Sequence, residues 1–219
     1  MQLEWYGQSA FALRAGGRTV ALDPFGDVSV LHGRGIRWEY PPIAGLTADL
    51  LLITHEHVDH NGAGAVGGDP VVIRATAGTH RSPLGEVVGI ASEHDAVAGT
   101  LRGANVMFAF TFDGVRVAHL GDLGQPALRP EQEALLSDVE LLMVPVGGGA
   151  TIDAGQAAAI VERVAPRWIV PMHYRTERIG FLEPADGFLE RYAHVVRAGS
   201  PRVELPDGDG PIVVVPASP

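Results

Sequence analysis

The sequence predicts one layered α/β sandwich. Alternating apolar positions, typical of half-buried strands, dominate the first half of the chain, and strands followed by amphipathic helices dominate the second half. No repeat, low-complexity stretch or linker divides the 219 residues, and a hydrophobic content of 46% is enough for a substantial core. We therefore expect a single domain over 1–219 with layers of sheet and helix, rather than a uniform doubly wound sheet.

The strands of the first half follow from their apolar pattern. Alternation predicts strands at 2–6, 10–14 and 18–22, and apolar runs predict strands at 49–54 and 71–75. The segment 105–122 is typical of a hairpin, because Asp113 and Gly114 form a pair that suits a two-residue turn.

A long segment, 24–46, shows no clear period and separates the third strand from the fourth. It contains His32, Arg34, Arg37, Trp38 and Tyr40. Loops of this length inside a domain tend to be functional or mobile, so the segment could be a lid that lines a pocket. Aromatic side chains in a loop also commonly pin it to the body of the protein, and both interpretations stay open.

Strand–helix units make up the second half. We expect helices near 129–138, 153–165 and 184–197, and strands at 139–146, 167–173, 202–205 and 211–215. In the second helix, Ala157, Ile160, Val161 and Val164 share one face, as in a helix packed on a sheet, and Asp153 or Thr151 is the expected N-cap.

Composition excludes several chemistries. The chain has no Cys, which excludes disulfides, thiolate metal sites and a cysteine nucleophile, and no Lys, which excludes Schiff-base catalysis. The net charge of −10 disfavours a nucleic-acid substrate, since phosphates normally meet a basic patch. Apolar runs such as 50–53 and 212–215 are far below the roughly 18 residues that span a membrane, and the N-terminus shows no signal pattern. We expect a cytoplasmic protein without a membrane partner.

The stretch THEHVDHNG, residues 54–62, carries the strongest chemical signal. It follows the buried strand at 49–54 and holds four metal-ligand side chains, His55, His57, Asp59 and His60. His55 and His57 are two residues apart and point the same way, while Asp59 and His60 aim at a neighbouring point. One turn can therefore offer two ligands to one metal and two to a second. A solvated polar loop is the alternative.

Other strand ends supply further donors. His94 follows a short apolar strand, Asp122 lies in a glycine-flanked turn, and His173 ends a buried strand. A lone histidine at a strand end is usually a hydrogen-bonded structural residue. Together with residues 55–60, however, the three form a set that can bind metal.

This set resembles the metallo-β-lactamase fold superfamily, and within it the small single-domain metal-dependent hydrolases. The resemblance rests on THEHVDH, a downstream His, GD and a late PMH, and it extends from WYGQSAFALRAGGRTVALDPF through LLMVPVGGGATIDAGQAA to IVPMHYRT. It implies a four-layer αββα sandwich and a catalysed hydrolysis. The substrate is not implied, because this fold hosts many reactions.

The resemblance also implies how the ligands divide. His55, His57 and His94 would bind the first metal; Asp59, His60 and His173 would bind the second; and Asp122 would bridge both. Zinc is the first expectation, with manganese or iron as alternatives, because imidazole and carboxylate discriminate weakly between these metals.

Two such cations would share a water, lower its pKa and present hydroxide to a carbonyl or phosphorus centre. Asp59 and Asp122 are the predicted catalytic residues, and the family suggests that Asp59 also orients the hydroxide or moves its proton. A small-molecule ester, lactone or phosphodiester is the expected substrate. The resemblance is also compatible with a homo-oligomer.

Further residues carry predictions with open alternatives. Asp23 ends a strand and is expected to hydrogen-bond a ligand histidine, or to cap a turn. His119 is expected either to contact the metal ligands from outside the site or to be a core histidine whose hydrogen bonds are satisfied within the protein. Gly148, within Gly147–Gly149 and near Thr151, could donate an N–H to a substrate oxyanion or simply form a turn. Tyr174 and Arg175 flank the last ligand, and Arg175 could pair with an anionic substrate.

The sequence leaves two alternative functions open. A nuclease would use the same ligands, but the charge and the absence of Lys disfavour it. A metal-binding module without turnover would keep the ligands and lack an open metal position. His80 and His194 match no pattern and are expected to be surface or structural residues.

Overall fold

Fourteen strands in two sheets and four short helices form the fold, which a computed structural model describes over residues 1–219. The six-stranded sheet contains β1 (Gln2–Gly7), β2 (Ala10–Ala15), β3 (Arg18–Leu22), β4 (Leu50–Ile53), β5 (Val71–Arg74) and β13 (Arg202–Glu204), in the order β13-β1-β2-β3-β4-β5. The eight-stranded sheet contains β6 (Gly78–Ser82), β7 (Gly85–Glu93), β8 (Ala104–Phe112), β9 (Val115–His119), β10 (Leu141–Pro145), β11 (Trp168–Met172), β12 (Val195–Arg197) and β14 (Ile212–Val215), in the order β12-β14-β11-β10-β9-β8-β7-β6. The helices are α1 (Ser29–Gly33), α2 (Pro130–Leu136), α3 (Ala154–Val164) and α4 (Asp186–Leu189). None of them has the length and apolar character needed to cross a bilayer.

The main hydrophobic core fills the space between the sheets and continues beneath the helices that cover the eight-stranded sheet. The alternation of β2 explains how the six-stranded sheet divides its side chains: Phe11 and Leu13 belong to this core, whereas Ala12 packs in a second cluster with Leu46 and Leu51. In the other sheet, Phe108 is fully buried on β8 and belongs to the main core. The predicted α/β sandwich is confirmed.

The two outer faces are covered differently. α3 packs on β10 and contacts α2 and α4, so helices cover the eight-stranded sheet. The Asp153 carboxylate caps α3 by accepting from the Gln156 N–H at 2.8 Å, and the helix ends at Ala165 in the left-handed region (φ 52°). The expected stripe of α3 is buried. On the six-stranded sheet, loop residues such as Leu46 provide the cover instead of a long helix.

One predicted helix is wrong. The expected helix at 184–197 ends after the single turn of α4, and Val195–Arg197 forms β12, which pairs in parallel with β14. The β-branched side chains of Val195 and Val196 suit a strand, and the open edge of β14 offers the hydrogen bonds, so tertiary pairing overrides the amphipathic pattern. The strand β6 and the short helix α1 were not predicted.

The segment 24–46 is pinned by its aromatic residues. Phe25 and Trp38 meet edge to face at 5.0 Å, Trp38 and Tyr40 at 5.4 Å, and all three belong to a cluster with Ile179 and Leu182. The Tyr40 hydroxyl also lies 2.9 Å from Thr176 Oγ1. The aromatic side chains therefore pin the segment, and Val30, Leu31, Arg34 and Ile36 of the same segment also line a cavity.

Candidate metal centre

Strand direction brings the predicted donors to one edge of the sandwich. β3 and β4 are parallel, as are β9, β10 and β11, so residues that follow these strands share an end of each sheet. β8 is antiparallel to both β7 and β9, and hence β7 ends at the same edge as β9. The segments that leave this edge carry Asp23 after β3, residues 55–60 after β4, His94 after β7, Asp122 after β9 and His173 after β11.

The donors form two adjacent sets. The first contains His55, His57 and His94, with one ligand atom of each within 4.8 Å of the others. The second contains Asp59, His60, Asp122 and His173, which also each have one ligand atom within 4.8 Å of the others. The structure thus brings together all seven residues that the sequence singled out as metal ligands.

Asp122 lies between the sets. Its Oδ1 is 3.2 Å from His60 Nε2, and its Oδ2 is 3.3 Å from the Nε2 atoms of both His94 and His173. Oδ2 is also 4.0 Å from His55 Nε2. The two oxygens of this carboxylate therefore face histidines of both sets.

Two close backbone approaches explain the glycines beside Asp122. Gly121 has φ 56°, and a Cβ there would lie 2.4 Å from Asn105 Oδ1 and 2.6 Å from Thr54 Oγ1. A Cβ on Gly124 would lie 2.3 Å from the carbonyl carbon of His94. The turn that contains Asp122 can therefore pack against the segments of Thr54 and His94 only because Gly121 and Gly124 lack side chains.

The backbone of His173 is held in an uncommon conformation. Its φ is 51°, in the left-handed region that a non-glycine residue rarely adopts. A Cβ on Gly147 would lie 2.1 Å from the His173 carbonyl oxygen, so the end of β10 packs directly against this ligand. Gly148 N–H donates to the Ile152 carbonyl at 3.1 Å, which makes it part of a turn rather than a free donor.

A buried carboxylate lies behind the second set. Asp23 accepts from the Thr54 N–H at 2.7 Å and the Thr54 hydroxyl at 2.6 Å, and its Oδ2 is 2.8 Å from His60 Nδ1. Thr54 Oγ1 is also 3.0 Å from His55 Nδ1. His119, fully buried, lies 3.9 Å from Asp23 Oδ2, with its Nε2 2.9 Å from the Ser9 carbonyl. Asp23 thus contacts a predicted ligand histidine directly, whereas His119 packs near it with its Nδ1 accepting from the Gly121 N–H at 3.2 Å.

The electrostatics of the sets differ. Burial, and next His60, lower the pKa of His55 far below its ordinary value, and burial followed by His94 lowers the pKa of His57. Burial opposes charge on His60 as well, but Asp122, Asp59 and Asp23 outweigh it and raise its pKa well above the ordinary value. His55 and His57 of the first set therefore favour the neutral ring, and the second set holds a concentration of carboxylate charge that favours a cation.

An unpartnered buried nitrogen supports the fit of the donor set to divalent metal ions. His60 Nε2 is buried, faces Asp122 Oδ1 at 3.2 Å and has no partner in hydrogen-bond geometry. Buried nitrogen atoms are normally satisfied, so such an atom inside the cluster indicates a missing partner. Imidazole nitrogens with carboxylate oxygens are the donors that zinc and similar ions take in proteins.

A cavity of about 410 Å³ opens above the centre. His57, Asp59, His94, Asp122 and His173 lie at its base. Its walls are mainly apolar side chains and two arginines, namely Val30, Leu31, Ile36, Val58, Leu101, Phe181, Arg34 and Arg102. The site is therefore accessible to a small molecule, a property that the sequence alone did not establish.

Several predicted substrate contacts are not brought to this cavity. Tyr174 and Arg175 line a separate recess, where the Tyr174 ring stacks on Trp5 at 5.6 Å. Gly148 does not line the cavity, although its neighbour Ala150 does. His80 makes a local contact with the Thr76 carbonyl, and His194 is exposed.

Three residues that hold ligands in place were not predicted. Ser9 donates to Asp122 Oδ1 at 3.4 Å, Asn105 Oδ1 accepts from the Asp122 N–H at 3.1 Å, and Thr54 connects Asp23 with His55. Ser9 lies within the stretch WYGQSAFALRAGGRTVALDPF and Thr54 precedes His55, so a position in or beside a motif was the one available signal. Nothing in the sequence near Asn105 pointed to the site.

Comparison with known proteins gives one consistent family. The beta-lactamase superfamily domain matches residues 2–173. A UPF0173 metal-dependent hydrolase of Pyrobaculum calidifontis is 30% identical over 227 residues, covering 90% of this chain and 94% of the relative. A Thermotoga maritima structure, assigned as a zinc-dependent hydrolase of the metallo-beta-lactamase superfamily, is 30% identical, covers 99% of both chains and has a TM-score of 0.77. An isothiocyanate hydrolase from Delia radicum gut bacteria is similar in fold alone, at 17% identity and a TM-score of 0.66 over 87% of this chain and 91% of that one.

Proposed function

The chain belongs to the beta-lactamase superfamily and is a metal-dependent hydrolase, and on this premise we propose that it uses two divalent ions to cleave a small ester, lactone or phosphodiester. One observation carries the proposal. Seven donor residues form two adjacent sets, five of them line an open cavity, and Asp122 faces both sets. Such an arrangement suits hydrolysis with a metal-activated nucleophile.

The first ion would be held by His55, His57 and His94, and the second by Asp59, His60 and His173, with Asp122 shared. Zinc is the proposed metal. The nitrogen-rich donor set supports it, and the Thermotoga maritima relative is assigned as zinc-dependent. Manganese and iron would find the same donors acceptable.

The bound pair would supply an activated water as the nucleophile. The chain itself supplies orientation and proton transfer. Asp59 is partly exposed to the cavity, and its Oδ2 lies 3.7 Å from His60 Nε2. This position supports a role for the Asp59 carboxylate in accepting the proton of the water. Asp23 keeps His60 in one orientation through the contact at Nδ1.

The cavity supports a small substrate rather than a polymer. Its volume of about 410 Å³ suits a molecule of metabolite size. A polyanionic nucleic acid would meet a chain with a net charge of −10. Cavity size and charge therefore support a small-molecule substrate, and an ester, lactone or phosphodiester is the class that we propose.

Removal of a ligand from either set tests the proposal. His57→Ala and Asp122→Ala should lose bound metal, as measured by elemental analysis of purified protein, and should lose hydrolysis by roughly 100-fold or more, since ligand and bridge both act on the reacting water. Rates are measured on lactones, aryl esters and bis-aryl phosphates, with zinc and with manganese. Preference for bis-aryl phosphate over every ester would restrict the substrate to phosphodiesters.

His80→Ala provides the control, because this histidine makes only a local contact with Thr76. It should retain metal and activity. Full activity of the wild-type protein after removal of its metal would contradict the proposed chemistry. Retained metal in both ligand variants, with folding intact by circular dichroism, would contradict the assigned donor set.

A further inference from the structure

The cavity walls carry two arginines and an apolar rim, and from these we propose that the substrate is an organic oxyanion. Arg34 and Arg102 bind its carboxylate or phosphate group, and its apolar body lies on Val30, Leu101 and Phe181. The inference rests on the proposed function, since it names the substrate class of the same site. Arg34 and Arg102 are then the residues that determine specificity.

Both arginines lack a partner within the protein. Nine of the sixteen arginines make ion pairs with carboxylates, whereas Arg34 and Arg102 have no carboxylate oxygen within 4.0 Å and their side chains donate no hydrogen bond. Arg37, on the same segment as Arg34, shows the usual behaviour by donating to Glu39 at 2.6 Å. Two free guanidinium groups therefore line the one cavity that contains the metal donors.

The acidic groups of the cavity do not neutralise these arginines. Glu56 lines the wall but is held by Arg74 through two hydrogen bonds of 2.6 and 2.7 Å. Asp59 and Asp122 face the histidines of the metal centre. Guanidinium groups bind planar oxyanions through paired N–H donors, so an anionic group on the ligand would supply the missing counter-charge.

The rim of the cavity is unusually apolar for an exposed surface. Side chains of Val30 (44% exposed), Leu101 (79%) and Phe181 (51%) come from three separate segments and line the same opening. They are three of the eight large hydrophobic side chains that the whole surface exposes. Exposed apolar side chains grouped at one cavity mark ligand sites, and here they line it together with charged groups, which suits an amphiphilic molecule.

Both arginines stand on ordered segments. Arg34 follows α1, whose Leu31 belongs to the aromatic cluster with Phe25 and Trp38. The Arg102 backbone N–H donates to the Asp95 carboxylate at 2.8 Å. Anchored backbones reduce the ordering that the two side chains must undergo when they bind an anion.

Matched esters test the inference. The probes are 4-nitrophenyl hexanoate and the mono-4-nitrophenyl ester of adipic acid, which differ by a methyl group against a carboxylate at the far end of the acyl chain. With zinc-loaded protein, the adipate ester should have the lower KM, and its advantage should fall about tenfold in Arg34→Gln/Arg102→Gln, with little change in kcat. Arg37→Gln is the matched control and should behave as wild type.

A binding experiment separates this inference from the proposed function. Calorimetry on zinc-loaded protein compares 5-phenylpentanoate, 4-phenylbutylphosphonate and the neutral 5-phenylpentanamide. The inference is supported if the wild-type protein binds one of the anions more tightly than the amide and the double variant loses this preference. If the same protein cleaves neither ester, the proposed ester hydrolysis is wrong, but the inferred anion binding still holds. The tighter of the two anions identifies a carboxylate or a phosphate class.

Equal or absent binding of the anions and the amide would overturn the inference. So would an anion preference that persists in the double variant, because the anion would then be bound by the metal ions and not by the arginines. Either result would leave the metal-dependent hydrolysis itself intact.

Discussion

At the scale of single residues, the proposed metal centre depends on contacts that fix how each donor points. Asp23, fully buried, lies 2.8 Å from His60 Nδ1 and accepts twice from Thr54. When Nδ1 donates to a carboxylate, Nε2 keeps the lone pair, and Nε2 is the atom that faces Asp122 at 3.2 Å. Asp23 therefore leaves Nε2 as the nitrogen through which His60 would bind the proposed metal.

Asp23→Asn tests this selection. An amide nitrogen in place of one carboxylate oxygen cannot accept from His60, so the ring loses its fixed orientation. We expect zinc affinity to fall roughly 10- to 100-fold, measured by competition with a chromogenic chelator, while circular dichroism shows an intact fold. Asp207→Asn, at an exposed aspartate, should change neither quantity. Unaltered affinity in Asp23→Asn would show that the contact does not orient the ligand.

What the sequence could predict at this scale depended on distance along the chain. Residues 55–60 were predictable because a strand end and two-residue spacing are local properties. Ser9, 113 residues before its partner Asp122, meets it only through the fold. Tyr174 and Arg175 were expected beside the substrate because they follow His173, but the left-handed turn at His173 (φ 51°) takes the chain away to Trp5.

At the scale of elements, one carboxylate organises a wall of the cavity. Asp95 Oδ1 accepts from the N–H groups of Val97 and Gly99, and its Oδ2 accepts from those of Leu101 and Arg102, at 2.8 to 2.9 Å. Desolvation would raise the pKa of Asp95, but these four backbone donors together lower it. The loop that carries two cavity-lining residues is thus folded around a single anion.

Asp95→Asn removes an acceptor without changing the volume of the side chain. Two of the four N–H groups then face an amide nitrogen, and we expect amide hydrogen exchange in 97–102 to become roughly tenfold faster or more. Exchange in α3 should stay unchanged, and Asp69→Asn, at an exposed aspartate, should leave both regions as in wild type. If the 97–102 amides keep their protection, other contacts hold the loop.

Helices and strands could be predicted from the sequence where the local residue pattern agrees with the position of the segment in the fold. The hairpin of β8 and β9 turns at Asp113 (φ 54°) and Gly114 (φ 77°), as the Asp-Gly pair predicts. The prediction of a helix over 184–197 was wrong for two reasons. Phe188 and Leu189 have helical spacing to their neighbours, which suggested a longer helix than α4. Val195 and Val196 form a strand because they pair with β14, which lies further along the chain. Local periodicity contains no information about such an edge.

At the scale of the whole molecule, the end of the chain completes both sheets. β13 pairs antiparallel with β1, and β14 lies between β11 and β12 in the other sheet. The sequence predicted both closing strands but not their partners, because a pairing such as Gln2 with Glu204 joins positions about 200 residues apart. The association of β13 with β1 is therefore a long-range contact that charged side chains can strengthen.

Glu4 on β1 is the centre of that contact, and the pH dependence of stability should reveal it. Its carboxylate accepts from Tyr6 at 2.8 Å and from Arg202 of β13 at 2.9 Å, and it pairs with Arg14. Burial alone would raise the pKa of Glu4, but the hydrogen bonds from Tyr6 and Arg202 and the charge of Arg14 lower it below 4.5. A lowered pKa stabilises the fold at pH above the unfolded value, and this contribution disappears as the pH falls through the folded value.

We therefore expect Glu4→Gln to reduce the free energy of unfolding by about 1 kcal/mol at pH 7, measured in urea because this denaturant does not screen charge. The difference between variant and wild type should shrink as the pH falls below 4.5, where the unfolded carboxylate is protonated. Protonation of the metal ligands affects both proteins alike and cancels in this difference. Glu86→Gln, at an exposed residue without an ion pair, should show no such pH-dependent difference. A Glu4→Gln deficit that is constant from pH 7 to pH 3 would mean that side-chain packing, rather than the carboxylate charge, joins β1 to β13.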